Sequence, residues 1–250
     1  MLLAVDIGNT NIKFGVFDNE NLVAKLSLPT NRDLTAEAVS KVLSHRLTQD
    51  ITAAIVCSVV PEVRDAVSRF VSNSYNIDPI WVSNDLDYGL KIIYEPLAAA
   101  GTDRIVNSFA AAEKYGVPCV VCSFGTATTI DVVSSARELL GGMIAPGFRT
   151  MSTALRLMTS NLPEVGLQKP ENILGNTTIE SIRSGIYFSQ LGFIESAIAR
   201  ISAEIGAKPF VVATGGFANE IAADTTVVDK VDELLTLDGL RMLYSQKRAH

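Results

Sequence analysis

The sequence predicts an α/β protein made of two duplicated domains, each with a mixed sheet flanked by helices. Two observations lead to this prediction. The first hundred residues read as a three-strand meander followed by alternating helices and strands. A similar strand–turn–strand unit returns 117 residues later, again with helices behind it. A length of 250 residues allows one large domain or two moderate ones. The 48% of residues that are hydrophobic predict a sizeable core. We expect two, over residues 1–115 and 116–250.

The first strand–turn–strand unit begins with a buried strand, predicted by the apolar run from Met1 to Val5. Its partner is predicted by the alternation from Ile12 to Val16. The turn between them reads Asp6-Ile-Gly-Asn-Thr-Asn11. Glycine permits close backbone approach, and the polar side chains offer hydrogen bonds to a ligand. An Asp entering such a loop suits a metal–phosphate complex, although the turn alone fits an ordinary polar hairpin equally well.

The remaining elements of the first half follow from periodicity and capping. We predict a strand over 22–28, a helix capped by Thr35, a buried strand over 53–59, a helix opened by Pro61 and a short strand over 80–82. Residues 94–104 have loop-like chemistry. A helix is then expected to begin at Gly101-Thr-Asp-Arg104, with Thr102 as its N-cap.

The second strand–turn–strand unit sets Ser123-Phe-Gly-Thr-Ala-Thr128 against the first turn. Apolar strands over 119–122 and 129–133 enclose it, and a third strand over 139–145 precedes the helices. The identity between the two turns is low, so chance similarity is the alternative. The shared order of elements favours duplication.

The rest of the second half is more helical. Thr177 and Glu180 form a predicted capping box at the start of a helix of about 28 residues. A buried strand over 210–213 ends in Gly215-Gly216 before another helix, and an amphipathic helix over 235–244 follows. Strand–Gly-Gly–helix suits a nucleotide at a helix N-terminus, and it is equally common as a tight turn.

Composition excludes several classes of function. A net charge of −6 argues against a nucleic-acid-binding face, and no apolar run approaches the roughly 18 residues of a membrane span. The first apolar run ends at Asp6 without a basic region before it, so no signal peptide is expected. Three cysteines in apolar segments predict reduced thiols in the cytoplasm. Cys119 and Cys122 have C-x-x-C spacing inside a strand, which favours core packing over redox or zinc chemistry.

Neither a Walker loop nor a dinucleotide fingerprint occurs in the sequence. Two facing domains with glycine-polar hairpin tips are the plan of the actin, Hsp70 and sugar-kinase superfamily. Six motifs follow one another along the chain: Asp6-Ile-Gly-Asn-Thr-Asn11, Cys57-Ser-Val-Val-Pro61, Gly101-Thr-Asp-Arg-Ile-Val-Asn107, Phe124-Gly-Thr-Ala-Thr-Thr-Ile-Asp131, Gly141-Gly-Met-Ile-Ala-Pro-Gly147 and Ala213-Thr-Gly-Gly216. In these six motifs the sequence resembles one family of the superfamily, the type III pantothenate kinases, which are relatives of the Bvg accessory factor proteins.

The resemblance implies actin/ribonuclease-H-like domains and ATP-dependent phosphorylation of pantothenate to 4'-phosphopantothenate, the first step of coenzyme A biosynthesis. It also implies a homodimer, Mg²⁺ near Asp6 and a monovalent cation, potassium or ammonium, at position 123. ATP contacts are implied for Asp6, Ile7, Gly8, Asn9, Thr10, Asn11, Ile12, Lys13 and Thr126. Pantothenate contacts are implied for Tyr94, Gly101, Thr102, Asp103, Arg104 and Thr178, with Asp103 as the catalytic base.

The residues by themselves leave these roles open. Asp103 also fits a first-turn acid favoured by the helix dipole, and Arg104 also fits a solvated surface residue. Arg104 could instead hold an anionic substrate's carboxylate. Aromatic packing is the alternative for Tyr94, and helix capping is the alternative for Thr178.

The sequence departs from the family at Ser123, where an Asp is usual. A neutral hydroxyl is a poorer ligand for a hard cation than a carboxylate is. Thr102 in place of Ala and Asn176-Thr177 in the substrate wall are further departures. We therefore predict a kinase with altered or absent cation dependence. The alternatives are a catalytically degenerate protein with a nucleotide-binding or regulatory role, and a kinase acting on another small hydroxyl substrate.

Overall fold

The computed structural model describes residues 1–43, 45–166 and 168–249. Its strands are β1 Leu2–Ile7, β2 Asn11–Asp18, β3 Asn21–Pro29, β4 Ala53–Ser58, β5 Ile80–Trp81, β6 Lys91–Ile92, β7 Cys119–Phe124, β8 Ala127–Val133, β9 Glu138–Pro146, β10 Phe210–Gly215 and β11 Lys230–Val231. Its α-helices are α1 Ala36–Leu43, α2 Arg64–Tyr75, α3 Thr102–Tyr115, α4 Phe148–Met158, α5 Thr178–Ile205, α6 Ala218–Ala222 and α7 Leu235–Ala249. Short 3-10 turns cover Pro61–Val63 and Leu97–Ala99.

These elements form two compact units. The first comprises Met1–Leu90, Tyr94–Ala110 and the chain from Leu234 onward, and the second comprises Lys91–Ile93 and Ala111–Glu233. The C-terminal helix α7 lies with the first unit because it packs on β1, β2 and β4. The predicted division after residue 115 stays a prediction about domains, and it differs from the compact units mainly in α7.

The first unit is built on a five-stranded sheet in the order β3-β2-β1-β4-β5. The meander β1-β2-β3 is antiparallel, whereas β4 and β5 continue the sheet in parallel. The apolar run at the N-terminus becomes the fully buried central strand β1. Leu3 and Val5 face a core that includes Val39 and Phe70 from α1 and α2. The opposite face meets α7, where a side chain added at Gly15 would lie 3.1 Å from Leu237.

The second unit repeats this plan. Its sheet has the order β11-β10-β7-β8-β9-β6, so β9-β8-β7-β10-β11 reproduces β3-β2-β1-β4-β5. The parallel and antiparallel pairings are also the same. Its core packs β7 and β10 against α4 and α5. The predicted fold class, a duplicated pair of mixed sheets flanked by helices, is therefore confirmed.

Local sequence signals account for several boundaries. The backbone amide of Glu180 donates to the Thr177 hydroxyl at 3.2 Å, so Thr177 is the predicted N-cap of α5. The Glu180 side chain accepts from the backbone amide of Asn176, one residue before the N-cap, so only the Thr177 half of the predicted capping box has its standard form. Thr35 likewise accepts from the Ala38 amide at the start of α1. The short edge strands β6 and β11 were not predicted.

All three cysteines are free thiols in the buried core. Burial raises the pKa of Cys119 and of Cys122 to about 12, so both stay protonated at neutral pH. Core packing is thus the role of the C-x-x-C pair, as predicted. Among the helices of the described residues, none combines the length and apolarity needed to cross a membrane.

Candidate active site

Asp6 is held between two neighbouring strands at the end of β1. Its directly paired residues are Lys13 on β2 and Cys57 on β4, so these three side chains share one face of the sheet. Lys13 Nζ lies 3.6 Å from Asp6 Oδ2, and Cys57 Sγ donates to Asp6 Oδ1 at 3.5 Å. Asp6 is only 6% exposed, and the pairing with a cation makes this burial tolerable for a carboxylate.

The turn after Asp6 is closed by its own backbone and by Thr30. The amide of Gly8 donates to the Asn11 carbonyl at 3.0 Å. The Thr30 hydroxyl donates to the Gly8 carbonyl at 2.6 Å, and the Thr30 amide donates to the Thr10 carbonyl at 2.8 Å. Thr30 was missed because its role depends on β3 lying beside the turn. One signal was available: when β2 and β3 pair antiparallel, Asn11 lies opposite Pro29, and this pairing brings the next residue, Thr30, beside the turn.

The predicted phosphate-binding residues separate into two groups. Asn9, Thr10 and Asn11 are exposed at the tip of the turn. The side chains of Ile7 and Ile12 are fully buried in the core, so they pack beneath the turn instead of reaching a ligand. A contact to a ligand from these two positions would have to come from the backbone.

Asp103 stands in the first turn of α3, where Gly101 makes room for it. Its Oδ1 accepts from the backbone amide of Arg104 at 2.9 Å. A Cβ added at Gly101 would lie 2.6 Å from the same oxygen. Glycine at position 101 therefore lets the Asp103 carboxylate lie back over the start of the helix.

Thr102 ties the start of α3 to the sheet. It is the first residue of the helix, and its hydroxyl donates to the Ser58 carbonyl at 3.2 Å. The predicted N-cap role of Thr102 is wrong, because the helix already includes Thr102 and the Gly101 carbonyl accepts from the amides of Arg104 and Ile105, which puts the N-cap position at Gly101. Ser58 follows Cys57, so the Thr102–Ser58 bond joins the helix of Asp103 to the strand that contacts Asp6.

The Cys57 thiol lies in the field of both carboxylates. Burial raises its pKa well above the usual range, and the negative charges of Asp6 and Asp103 raise it further. The Thr102–Ser58 bond attaches the helix of Asp103 to the residue next to Cys57, so Asp6 and Asp103 lie in the same part of the first unit.

Arg104 and Tyr94 are brought together by a cation–π contact. The guanidinium carbon lies 5.3 Å from the centroid of the Tyr94 ring. Arg104 is only 9% exposed, so it is not the solvated surface residue that was the alternative interpretation. Asn84, which the sequence did not single out, braces the segment before Asp103 by donating to the Leu97 and Ala100 carbonyls at 2.7 Å each.

The glycine-polar turn of the second unit is closed in a similar way. The Gly125 amide donates to the Ala127 carbonyl at 3.0 Å. The Thr126 carbonyl accepts from the Gly147 amide at 3.0 Å and from the Thr150 hydroxyl at 2.6 Å. A Cβ added at Gly147 would lie 2.2 Å from the Gly125 carbonyl oxygen, so close backbone contact requires glycine there.

Ser123 occupies the position that Asp6 has in the first unit. Its directly paired residues are Thr129 on β8 and Thr214 on β10. These three paired residues, one from each neighbouring strand, form a register row, and all three carry hydroxyl side chains. Gly215 follows at a φ of +96°, and a Cβ there would lie 2.5 Å from the Phe124 carbonyl. The strand–Gly-Gly segment therefore packs directly against the strand that carries Ser123.

Thr178 lines a groove of about 950 Å³ between α4 and α5. Thr150, which contacts the Thr126 carbonyl, lines the same groove. Because Thr177 is the helix cap, capping does not explain Thr178. Within residues 1–43, 45–166 and 168–249, no cluster of three or more His, Cys, Asp or Glu side chains forms a metal site.

The doubled sheet and its two closed glycine-polar turns define a protein of the actin-like sugar-kinase fold. Solved structures support this class at the level of the fold. A conserved Baf family protein from Campylobacter jejuni aligns with a TM-score of 0.61 and 18% identity, covering 99% of this chain and 100% of the other. Component A of (R)-2-hydroxyglutaryl-CoA dehydratase from Acidaminococcus fermentans aligns with a TM-score of 0.56 and 15% identity, covering 99% and 98%.

Sequence comparison gives the particular family. Residues 2–200 match the model of the type III pantothenate kinases. The type III pantothenate kinase of Moorella thermoacetica is 36% identical over 252 residues, covering 98% of this chain and 99% of the relative. That of Roseiflexus castenholzii is 38% identical over 255 residues, covering 99% and 100%. The chain belongs to the type III pantothenate kinase family.

Proposed function

We propose that this protein transfers the terminal phosphoryl group of ATP to pantothenate, giving 4'-phosphopantothenate for coenzyme A biosynthesis. Family membership over the whole chain supports the reaction. The observation in this chain that carries the proposal is a pair of contacts on β4: Cys57 donates to Asp6, and the next residue, Ser58, accepts from Thr102 at the start of the helix of Asp103. A kinase needs one carboxylate at the phosphates and another at the acceptor hydroxyl.

The first turn would bind the phosphates of ATP. Asn9, Thr10 and Asn11 offer exposed polar groups, and Lys13 adds a positive charge. Asp6 fits a magnesium site, because Mg²⁺ commonly takes one or two protein carboxylates and completes its shell with water and phosphate oxygens. When bound, the metal would neutralise charge on the phosphates. In the second unit, Thr126 would contact ATP from a turn that Gly147 and Thr150 hold in place.

Asp103 would accept the proton of the pantothenate hydroxyl and orient that oxygen toward the phosphorus. The Arg104 amide donates to Asp103 Oδ1 and so holds the carboxylate at the start of α3. A weak base suffices in a loose phosphoryl-transfer transition state, because orientation matters more than basicity. Gly101 and Thr102 would shape the same wall of the pocket.

Arg104 would bind the carboxylate of pantothenate. Tyr94 lies against the guanidinium and fixes its plane, and the low exposure of Arg104 strengthens a charge-assisted bond. Thr178 would contact pantothenate from the groove between α4 and α5.

We further propose that the dependence on a monovalent cation is altered or absent. Ser123, Thr129 and Thr214 bring hydroxyls and no carboxylate to their register row. Hydroxyl oxygens compensate less of a cation's lost hydration than a carboxylate does. The same observation favours the second candidate, a catalytically degenerate protein that binds nucleotide without turnover.

A cytoplasmic homodimer completes the proposal. Free, buried thiols are typical of a reducing compartment. In the second unit, large apolar side chains are exposed beside the α4–α5 groove, which is the kind of patch that a partner subunit covers. These are Leu157, Met158, Ile173 and Leu174, which are 65–85% exposed. Light scattering coupled to size-exclusion chromatography would measure the mass.

The test is a coupled ADP-release assay with pantothenate and Mg²⁺, run with and without potassium or ammonium. ADP release that depends on pantothenate and disappears in Asp103→Asn supports the proposal. Asp65→Asn is the matched control, because Asp65 is also a first-turn helix acid but forms an exposed pair with Arg69. Nucleotide binding without turnover under any cation would favour the catalytically degenerate candidate. A screen of small hydroxyl compounds as phosphate acceptors would distinguish a pantothenate kinase from a kinase that acts on another substrate.

A further inference from the structure

We infer that Cys57 is a positioning residue for the phosphate-binding turn, holding the Asp6 carboxylate through a hydrogen bond from its thiol. The inference rests on the proposed function, since it concerns how Asp6 meets the nucleotide and its metal. It assigns a role in binding to a buried thiol that would otherwise count as core packing.

The register of the sheet carries the inference. Asp6 pairs with Cys57 across the parallel β1–β4 contact and with Lys13 across the antiparallel β1–β2 contact. Each carboxylate oxygen therefore has a partner on a different strand: Oδ1 accepts from the thiol at 3.5 Å, and Oδ2 lies 3.6 Å from Lys13 Nζ. Two anchors on opposite sides restrict the rotation of the carboxylate about its side-chain bonds.

Burial makes the thiol bond matter. Cys57 is fully buried and Asp6 is 6% exposed, so water cannot easily replace a lost donor. A thiol is a weak donor, but a hydrogen bond to a charged acceptor is stronger than one to a neutral group. Without Cys57, Lys13 is the partner that Asp6 keeps among the residues the structure describes. We expect the carboxylate then to turn toward the lysine and away from the orientation used for the metal.

Cys122 supplies a matched control within the chain. It is also a fully buried cysteine on a central strand, but it faces the apolar core of the second unit. Replacing either cysteine with alanine removes one sulfur atom from a fully buried position. The packing cost of the two variants should therefore be similar, while only Cys57→Ala removes a donor from Asp6.

The experiment measures nucleotide binding by titration calorimetry, with and without Mg²⁺ and in the absence of pantothenate. The measured quantity is the factor by which Mg²⁺ raises the affinity for ATP. We expect this factor to be about fivefold smaller in Cys57→Ala than in the wild type, which is the equilibrium effect of about one hydrogen bond. Cys57→Ser keeps a donor and should stay within about twofold of the wild type. Cys122→Ala should bind like the wild type. In turnover, Cys57→Ala should raise KM for ATP and leave KM for pantothenate unchanged.

Two results would overturn the inference: Cys57→Ala binding Mg²⁺–ATP as well as Cys122→Ala does, or Cys57→Ser losing as much affinity as Cys57→Ala. Thermal unfolding of each variant verifies that binding is measured on folded protein. If Cys57→Ala does not fold, a loss of much more than about twofold in the Mg²⁺–ATP affinity of folded Cys57→Ser overturns the inference. Failure of the proposed function would look different. In that case the wild type itself would bind no nucleotide or would release no ADP with pantothenate.

Discussion

The two glycine-polar turns share a backbone and differ in the side chains beneath it. Each turn follows the central strand of a sheet with the same strand order. Each also has a threonine hydroxyl donating at 2.6 Å to a turn carbonyl, from Thr30 in the first unit and from Thr150 in the second. The register row differs: Asp6 lies between Lys13 and Cys57, whereas Ser123 lies between Thr129 and Thr214.

The shape of the two turns and the charge beside them have separate origins. Backbone hydrogen bonds and glycine contacts close both turns, so their shape does not depend on charge. A carboxylate with a nearby lysine and thiol suits work at a metal and phosphates, whereas a neutral row of hydroxyls does not attract a cation strongly. We therefore expect the first turn to carry the electrostatic work at a metal and phosphates, and the second to keep the shape without the charge.

The largest expected effect comes from removing the negative charge of Asp6 in the first unit. Asp6→Asn should lower kcat/KM for ATP by about 100-fold or more, since loss of even an outer-shell metal partner costs up to that much. Ser123→Ala should change it by about twofold or less, because a neutral, half-buried hydroxyl contributes less than one net hydrogen bond. Steady-state kinetics of both variants measure the contrast. Asp18→Asn, at the far end of β2, controls for loss of an acid, and equal effects at positions 6 and 123 would break the comparison.

A second prediction restores a carboxylate to the neutral row. Ser123→Asp should make turnover respond to potassium by about fivefold, because a half-buried carboxylate gains from a nearby cation roughly what one charged hydrogen bond provides. Tetramethylammonium chloride at equal ionic strength separates cation binding from screening. A variant that is indifferent to potassium would mean that the row of hydroxyls is not a cation position.

Smaller effects are expected from the threonine clamps, which are the Thr30 and Thr150 hydroxyls that donate to the carbonyls of the two turns. Thr30→Val and Thr150→Val each remove one hydroxyl donor at nearly constant volume, which costs about 1 kcal/mol, or about 2–4 °C in the melting temperature of a chain of this size. The Thr30 bond is the less exposed of the two, so its loss should cost more. KM for ATP should rise severalfold with either. Differential scanning calorimetry and kinetics would test this, and an unchanged KM would confine the clamps to stability.

The last effect is confined to alkaline pH. Burial raises the pKa of Cys122 from 9.0 to about 12 in the folded state. Above about pH 9 the unfolded chain loses this proton while the folded chain keeps it, so stability should fall as pH rises toward the folded pKa. Cys122→Ala should make that decline shallower. Urea unfolding midpoints from about pH 8 to pH 11 would measure it, and parallel curves for the two proteins would contradict it.

Local signals predicted much of the candidate site. Thr177 caps α5 as predicted, because the Glu180 amide that donates to it lies within one helical turn. Thr102 is not the cap of α3, and its hydroxyl bonds instead to Ser58, which is 44 positions away. Thr30 and Asn84 were missed for the same reason: each braces a turn or loop that reaches it only after the chain has folded.

The sequence by itself determined the two strand–turn–strand units, the buried strands and the residue types at each turn, because hydrophobic period and glycine chemistry act over a few residues. Only the tertiary structure decided that Asp6 contacts Cys57, that α7 packs on the first sheet, and that Arg104 lies against Tyr94. Those pairings depend on strand register and helix packing between distant segments. Their energies come from the burial of many side chains together, which no local pattern records.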